Sequence, residues 1–137
     1  MEGEAFSGSA RDLKHELRTP LNHIIGYGAL LFEAAEDAGD APTARQAEAV
    51  QALGGDLNRM IDGVLGQHEP ALSPNDLHQL REKMRPFLEE LLTLLDQLAG
   101  PPQNTGYAAD LQKVRGAVER LARTLAQPVA SGSFDRR

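Results

Sequence analysis

His15, Glu16 and Thr19 fall within five positions of one another in "KHELRTPLNHIIGY", residues 14–27, and their types suit the handling of a phosphoryl group. A neutral imidazole, with an ordinary pKa of about 6.5, is a competent nucleophile near neutral pH. A neighbouring carboxylate such as Glu16 could accept the departing ring proton or fix the tautomer. Thr19, one helical turn on, could hold a water for the reverse task of hydrolysis. Arg11, Lys14 and Arg18 would offset the negative charge of a phosphoryl group or of an acidic partner, and Asn22 shares the same outer face. Pro20 needs a reason of its own, because an interior proline costs a helix about 3 kcal/mol.

Those residues are useful only if a helix displays them. Leu17, Leu21, Ile24, Gly28, Leu31, Ala35 and Ala38 alternate steps of four and three, which predicts a helix over 10–38 ending in the turn "AGDAP". At about 100° per residue, that apolar stripe lies roughly 165° from His15, so the imidazole is expected to face solvent. Adjacent helical residues do not point at one another, and whether Glu16 reaches the ring is set by rotamers.

A second helix over 43–68 carries Ala47, Val50, Gly54, Leu57, Ile61 and Val64, with Thr43 as a plausible N-cap. A third begins after "LSPN" and repeats Leu77, Leu80, Met84, Phe87, Leu91, Leu94 and Leu98 until "AGPPQNTG" stops it. A fourth over 106–127 shows Tyr107, Leu111, Val114, Val118, Leu121 and Leu125. The expected class is all-α: an antiparallel four-helix bundle of two hairpins, with polar ends at 1–9 and 128–137.

Composition agrees. Aromatic residues make up only 4% of the 137, and cysteine is absent, which removes disulfides and thiolate metal sites. Twenty acids against fourteen Lys and Arg give a net charge of −6, against nucleic acid as the main partner. No apolar run approaches the ~18 residues of a membrane span, and the N-terminus lacks a basic signal start, so no membrane partner is expected and a cytoplasmic location follows by default.

"HELRTPLNHIIGY" resembles the H-box of sensor histidine kinases, the phosphoacceptor segment of their dimerisation and histidine phosphotransfer domain. "GGDLNRMIDGVL" looks like that domain's second helix, so the likeness covers a hairpin over 10–70. The resemblance implies that His15 takes the ATP γ-phosphoryl and passes it to an aspartate of a response-regulator receiver. It implies Glu16 as general base, Thr19 as the holder of water in the phosphatase direction, and Pro20 as the source of a bend just past the histidine. Neither a D-x-G-x-G motif nor an N-x-x-x-N box follows, so autonomous kinase activity is not expected. ATP and Mg would enter only through a separate catalytic domain or the receiver.

Sliding the chain by 63 residues places His78 under His15 and "HQLREKMRPFL" under "HELRTPLNHII", which reads as a decayed repeat over 71–127. Gln79, Glu82 and Lys83 replace the acid, the threonine and the proline, so His78 is expected to be a degenerate second site. The family builds its bundle from two chains; this chain holds two hairpins and could form an intrachain pseudo-dimer, although a homodimer stays open.

Four functions compete: a phosphorelay module charged in trans, part of a larger sensor kinase, a receiver phosphatase using Thr19, and a non-enzymatic helical adaptor. His23 and His68 read as structural or solvent-exposed, and no histidine pair has metal spacing. Leu88, Leu92 and Leu95 widen the apolar stripe of helix 3, as core packing or as a docking surface.

Overall fold

The structure, a computed structural model, describes residues 10–65, 73–100 and 106–126. The tails expected at 1–9 and 128–137, the end of the second helix with His68, and the third loop's residues 101–105 lie outside these. Four helices follow in order: α1 (Ala10–Asp37), α2 (Ala41–Leu65), α3 (Pro74–Ala99) and α4 (Ala108–Ala126). The class is all-α, as expected. Each helix packs on two neighbours, α1 and α3 both touching α2 and α4, so α1 lies diagonally across from α3.

Every pair of neighbours is antiparallel, and polar ties show it. Arg18 of α1 reaches Asp62 of α2, and Gln51 Nε2 of α2 donates to the Gly28 carbonyl of α1 at 3.4 Å. Gln46 of α2 bonds Gln97 of α3, and Arg115 of α4 pairs with Asp96 of α3. The ring closes where Lys113 of α4 sits 5.4 Å over the Tyr27 ring of α1. Inside lies one apolar cluster, with Leu13, Leu17, Leu21, Ile24, Leu31, Leu57, Ile61, Leu80, Met84 and Leu91 all sealed from solvent. Burying each such side chain stabilises the fold by about 1.5–3 kcal/mol.

Local chemistry sets the turns. At the end of α1 the Asp40 N–H bonds the Ala35 carbonyl and the Gly39 N–H bonds the Glu36 carbonyl. Gly39 itself sits at φ 70. This double closure ends a helix through a left-handed glycine. Ala38, expected on the apolar stripe, is therefore exposed in the turn. Asp40 then caps α2, its Oδ1 accepting from the Thr43 N–H at 3.2 Å. The cap is Asp40 rather than Thr43, which is buried inside the helix. Ser73 caps α3 the same way, accepting from the Asp76 N–H at 3.0 Å.

Asp40 also accepts from the Tyr107 hydroxyl at 3.1 Å, which fastens the start of α4 to the α1–α2 turn. Hydrogen bonds from the Thr43 side chain and backbone, then from Tyr107, hold the Asp40 carboxyl below its ordinary range, while burial and the adjacent carboxylate push the Tyr107 phenol up. A lowered folded pKa stabilises above the unfolded value and loses that effect as pH falls through the folded one. The melting-temperature advantage of the wild type over Asp40→Asn should therefore hold steady from pH 5 to 8 and shrink below pH about 4. An advantage that grew in acid would contradict this cap.

The two hairpins differ in how closely their helices approach. A Cβ placed on Gly54 would lie 2.7 Å from Ile25 Cγ1, and one on Gly28 would lie 3.1 Å from Gln51 Cγ. Only glycine admits this contact of α1 with α2. The corresponding residues of the second hairpin are Leu91 and Val118, and α3 and α4 touch less extensively. Between them a groove of about 210 Å³ opens, lined by Arg81, Leu88, Leu92, Ala122 and Leu125. Leu95 belongs to the core, whereas Leu88 and Leu92 are half-buried at this groove. Gly54→Ala should destabilise the protein by about 1–2 kcal/mol through overpacking, despite alanine's higher helix propensity. At exposed Gly116, where an added Cβ meets nothing within 4 Å, the same change should stabilise by about 0.5–1 kcal/mol. Chemical denaturation of both variants checks the contrast.

Candidate functional site

α1 runs unbroken through Pro20. The missing proline N–H leaves the Glu16 carbonyl without its usual donor. The ring itself is buried on the core side, about 140° round the helix from His15, and this burial offsets part of the conformational cost. His15 stands on the opposite face. It is exposed, and its imidazole has no hydrogen-bond or ion-pair partner among the described residues.

Around the ring the expected residues divide into two flanks. Glu16 is exposed and offset by about 100° to one side. Thr19, half-buried, directs its hydroxyl to the His15 carbonyl at 3.4 Å, which leaves the oxygen's lone pairs to accept from a water. Arg11 and Asn22 are exposed above and below His15. Lys14 and Arg18 occupy the other flank, facing α2. Arg18 donates from Nε to Asn58 Oδ1 at 3.3 Å and from its terminal nitrogen to Asp62 Oδ1 at 2.8 Å, and Lys14 Nζ lies 3.0 Å from the same oxygen. Two of the three cations read from the sequence as phosphoryl contacts, Lys14 and Arg18, are thus engaged by α2.

Asn58 and Asp62 were not singled out in the sequence, although the hairpin contained a signal for them. A turn near residue 40 brings together positions about equally far from it, 18 with 62 and, to within one residue, 28 with 51, so an acid at 62 belongs opposite Arg18.

Burial in the second half follows the pattern of the first at a nearly fixed offset. Leu17, Leu21, Gly28 and Ala35 are buried in α1, as are Leu80, Met84, Leu91 and Leu98, each 63 residues further on, in α3. Ala47, Val50, Gly54, Leu57 and Ile61 of α2 correspond to Leu111, Val114, Val118, Leu121 and Leu125 of α4 at a spacing of 64, all buried. A cross-hairpin tie is present here too: Arg81 Nε, 63 positions beyond Arg18, donates to the carbonyl of Leu125, one residue short of the position 64 beyond Asp62. His78 is exposed like His15. A second interior proline, Pro86, also lies in α3, but three residues beyond the position matching Pro20 and exposed rather than buried.

His23 is exposed, edge-on to Tyr27 with ring centroids 6.3 Å apart. No group of three or more His, Asp or Glu side chains suited to a metal ion occurs among the described residues. No described helix is long and apolar enough to cross a membrane.

The family model described as "HisKA: His Kinase A (phospho-acceptor) domain" matches residues 8–66, a span containing His15, Glu16, Thr19, Pro20 and Asp62. No curated protein and no solved structure matches the chain. The first hairpin of this bundle, with the outward imidazole at its N-terminal end, is thus the part of the chain that is similar to the His kinase A phospho-acceptor domain.

Proposed function

We propose that His15 accepts a phosphoryl group from a histidine kinase catalytic domain, in trans or elsewhere in a larger chain, and transfers it to an aspartate of a response-regulator receiver. The observation that carries this reading is the unpartnered, exposed imidazole on the helix that the phospho-acceptor family matches. In the first step a ring nitrogen bonds to the γ-phosphorus, the bond to the ADP oxygen breaks, and the ring N–H proton leaves to Glu16 or solvent. In the second a receiver carboxylate oxygen bonds to phosphorus, the P–N bond breaks, and the imidazole regains a proton. ATP and Mg belong to the partners, and a receiver needs open access to the face that His15 shares with Thr19 and Asn22.

We also propose that the second hairpin is a degenerate copy of the first. It completes within one chain the bundle that two chains otherwise supply, leaving one phosphoacceptor per bundle. Charging the protein with a panel of kinase catalytic domains and then adding purified receivers tests the function. Label should appear on the protein and move to at least one receiver. Stable absence of transfer in both directions across the panel would reject the reading.

A further inference from the structure

Lys14 and Arg18 are the cations nearest to His15 in the sequence, and in the fold neither is directed at it. Both converge on one carboxylate oxygen of Asp62, with Asn58 accepting a further bond from Arg18. The pairs are partly open to water, with side-chain exposures of 26% for Lys14, 39% for Arg18 and 47% for Asp62. Ion pairs so exposed are marginal in strength and exchange readily.

We propose that Asp62 is a positioning residue for phosphoryl capture: it holds Lys14 and Arg18 against α2 while His15 is unmodified, and a phosphoryl group on His15 takes them over. Arg18 lies three residues from His15 on a helix, a spacing at which side chains are neighbours. A phosphoryl group carries a charge of about −1.5 to −2 and three acceptor oxygens, against −1 for the carboxylate, so it wins the competition for a guanidinium within reach.

The degenerate half of the same molecule supplies the contrast. Positions 63 and 64 beyond Asp62 hold Leu125 and Ala126, and the position 63 beyond Lys14 holds buried Leu77. Arg81, the counterpart of Arg18, donates to the Leu125 backbone carbonyl. The lysine and the acid are thus missing on the face where Gln79, Glu82 and Lys83 stand in place of Glu16, Thr19 and Pro20. The helix-tying role of the arginine survives there, whereas the charge lock accompanies only the intact site.

The inference rests on His15 being a phosphoacceptor, and its test uses phosphoramidate as donor. A ring nitrogen of His15 bonds to phosphorus, the donor's P–N bond breaks, and ammonia departs with the proton released from the ring. With two cations freed to attract the anionic donor, Asp62→Asn should accept label about 3–10-fold faster than wild type at low salt. The gain should fade near 0.5 M salt, and Asp62→Glu should restore the wild-type rate. Asp56→Asn removes the same charge from α2 at a residue paired with Arg59, and it should leave the rate unchanged. Equal rates for Asp62→Asn and Asp56→Asn, or slower capture by Asp62→Asn, would overturn the lock.

A second arm separates this from the phosphoacceptor reading. Thermal double-mutant cycles between Arg18→Ala and Asp62→Ala should show a coupling of the melting shifts with His15 that shrinks in a His15→Glu background, where a second carboxylate of equal charge shares the guanidinium. If wild type takes no label, the phosphoacceptor reading falls. Coupling unaffected by His15→Glu overturns the lock by itself.

Discussion

Replacing His15 by alanine is expected to abolish phosphorylation of the protein and all transfer to a receiver, while replacing His78 by alanine leaves both within about twofold of wild type. The imidazole is the atom source for the P–N bond, so its removal leaves no nucleophile on that face. Stability should not fall, because an exposed helical histidine makes no packing contribution and alanine is the better helix former. Glu16→Gln keeps the ring and removes the proton acceptor, so it should slow acceptance by about 100-fold or more without changing the site of labelling. At His78 the neighbouring acid, hydroxyl and buried proline are all replaced, and the cross-helix tie ends on a backbone carbonyl. Peptide mapping at neutral pH, which preserves phosphohistidine, checks each variant. Comparable label at His78 would contradict the assignment of one live face.

The second large effect concerns the bundle. Leu17 and Leu80 are fully buried and occupy corresponding positions of the two hairpins. Leu17→Ala and Leu80→Ala should each cost about 2–5 kcal/mol, the loss of a buried side chain plus the cavity left behind. For a chain of this size that is a fall in melting temperature on the order of 10 °C. The two costs should be similar and should appear as one cooperative transition, because both leucines lie in one core rather than in two separate hairpins. Circular dichroism melts of both variants measure this. A Leu80→Ala protein that kept the wild-type melting point would mean that the second hairpin does not share the core of the first.

Much of this fold was legible because the helices obey simple periodicity. The stripe running from Leu17 to Ala35 is buried nearly as the spacing requires, and the outward direction of His15 follows from the same rotation. Helix boundaries were less legible where two residues compete for one role. Thr43 and Asp40 can both cap α2, and the closure of α1 through Gly39 places Asp40 at the position that counts. Ser73 lay within a segment that read as turn chemistry, so the start of α3 was expected later than it falls.

Two features needed three dimensions. The close approach at Gly28 and Gly54 is invisible in a hydropathy stripe, which treats glycine as a weak apolar residue rather than as room for a neighbouring helix. The engagement of Lys14 and Arg18 by Asp62 is not visible along one helix, because Asp62 lies 44 residues from Arg18 and comes beside it only when the hairpin folds. Pairing positions across the turn would have exposed it. The face read as phosphoryl-contacting is a face whose cations already have a partner, and that changes how the site would respond to charge.

The most direct test is to treat the purified protein with phosphoramidate, isolate each peak by size exclusion with light scattering, and determine the mass and site of added phosphate at neutral pH. A monomeric particle carrying a single acid-labile phosphoryl group on His15, lost when a cognate receiver is added, is the predicted result. A protein that takes no phosphate, or one labelled equally on both hairpins, would contradict it.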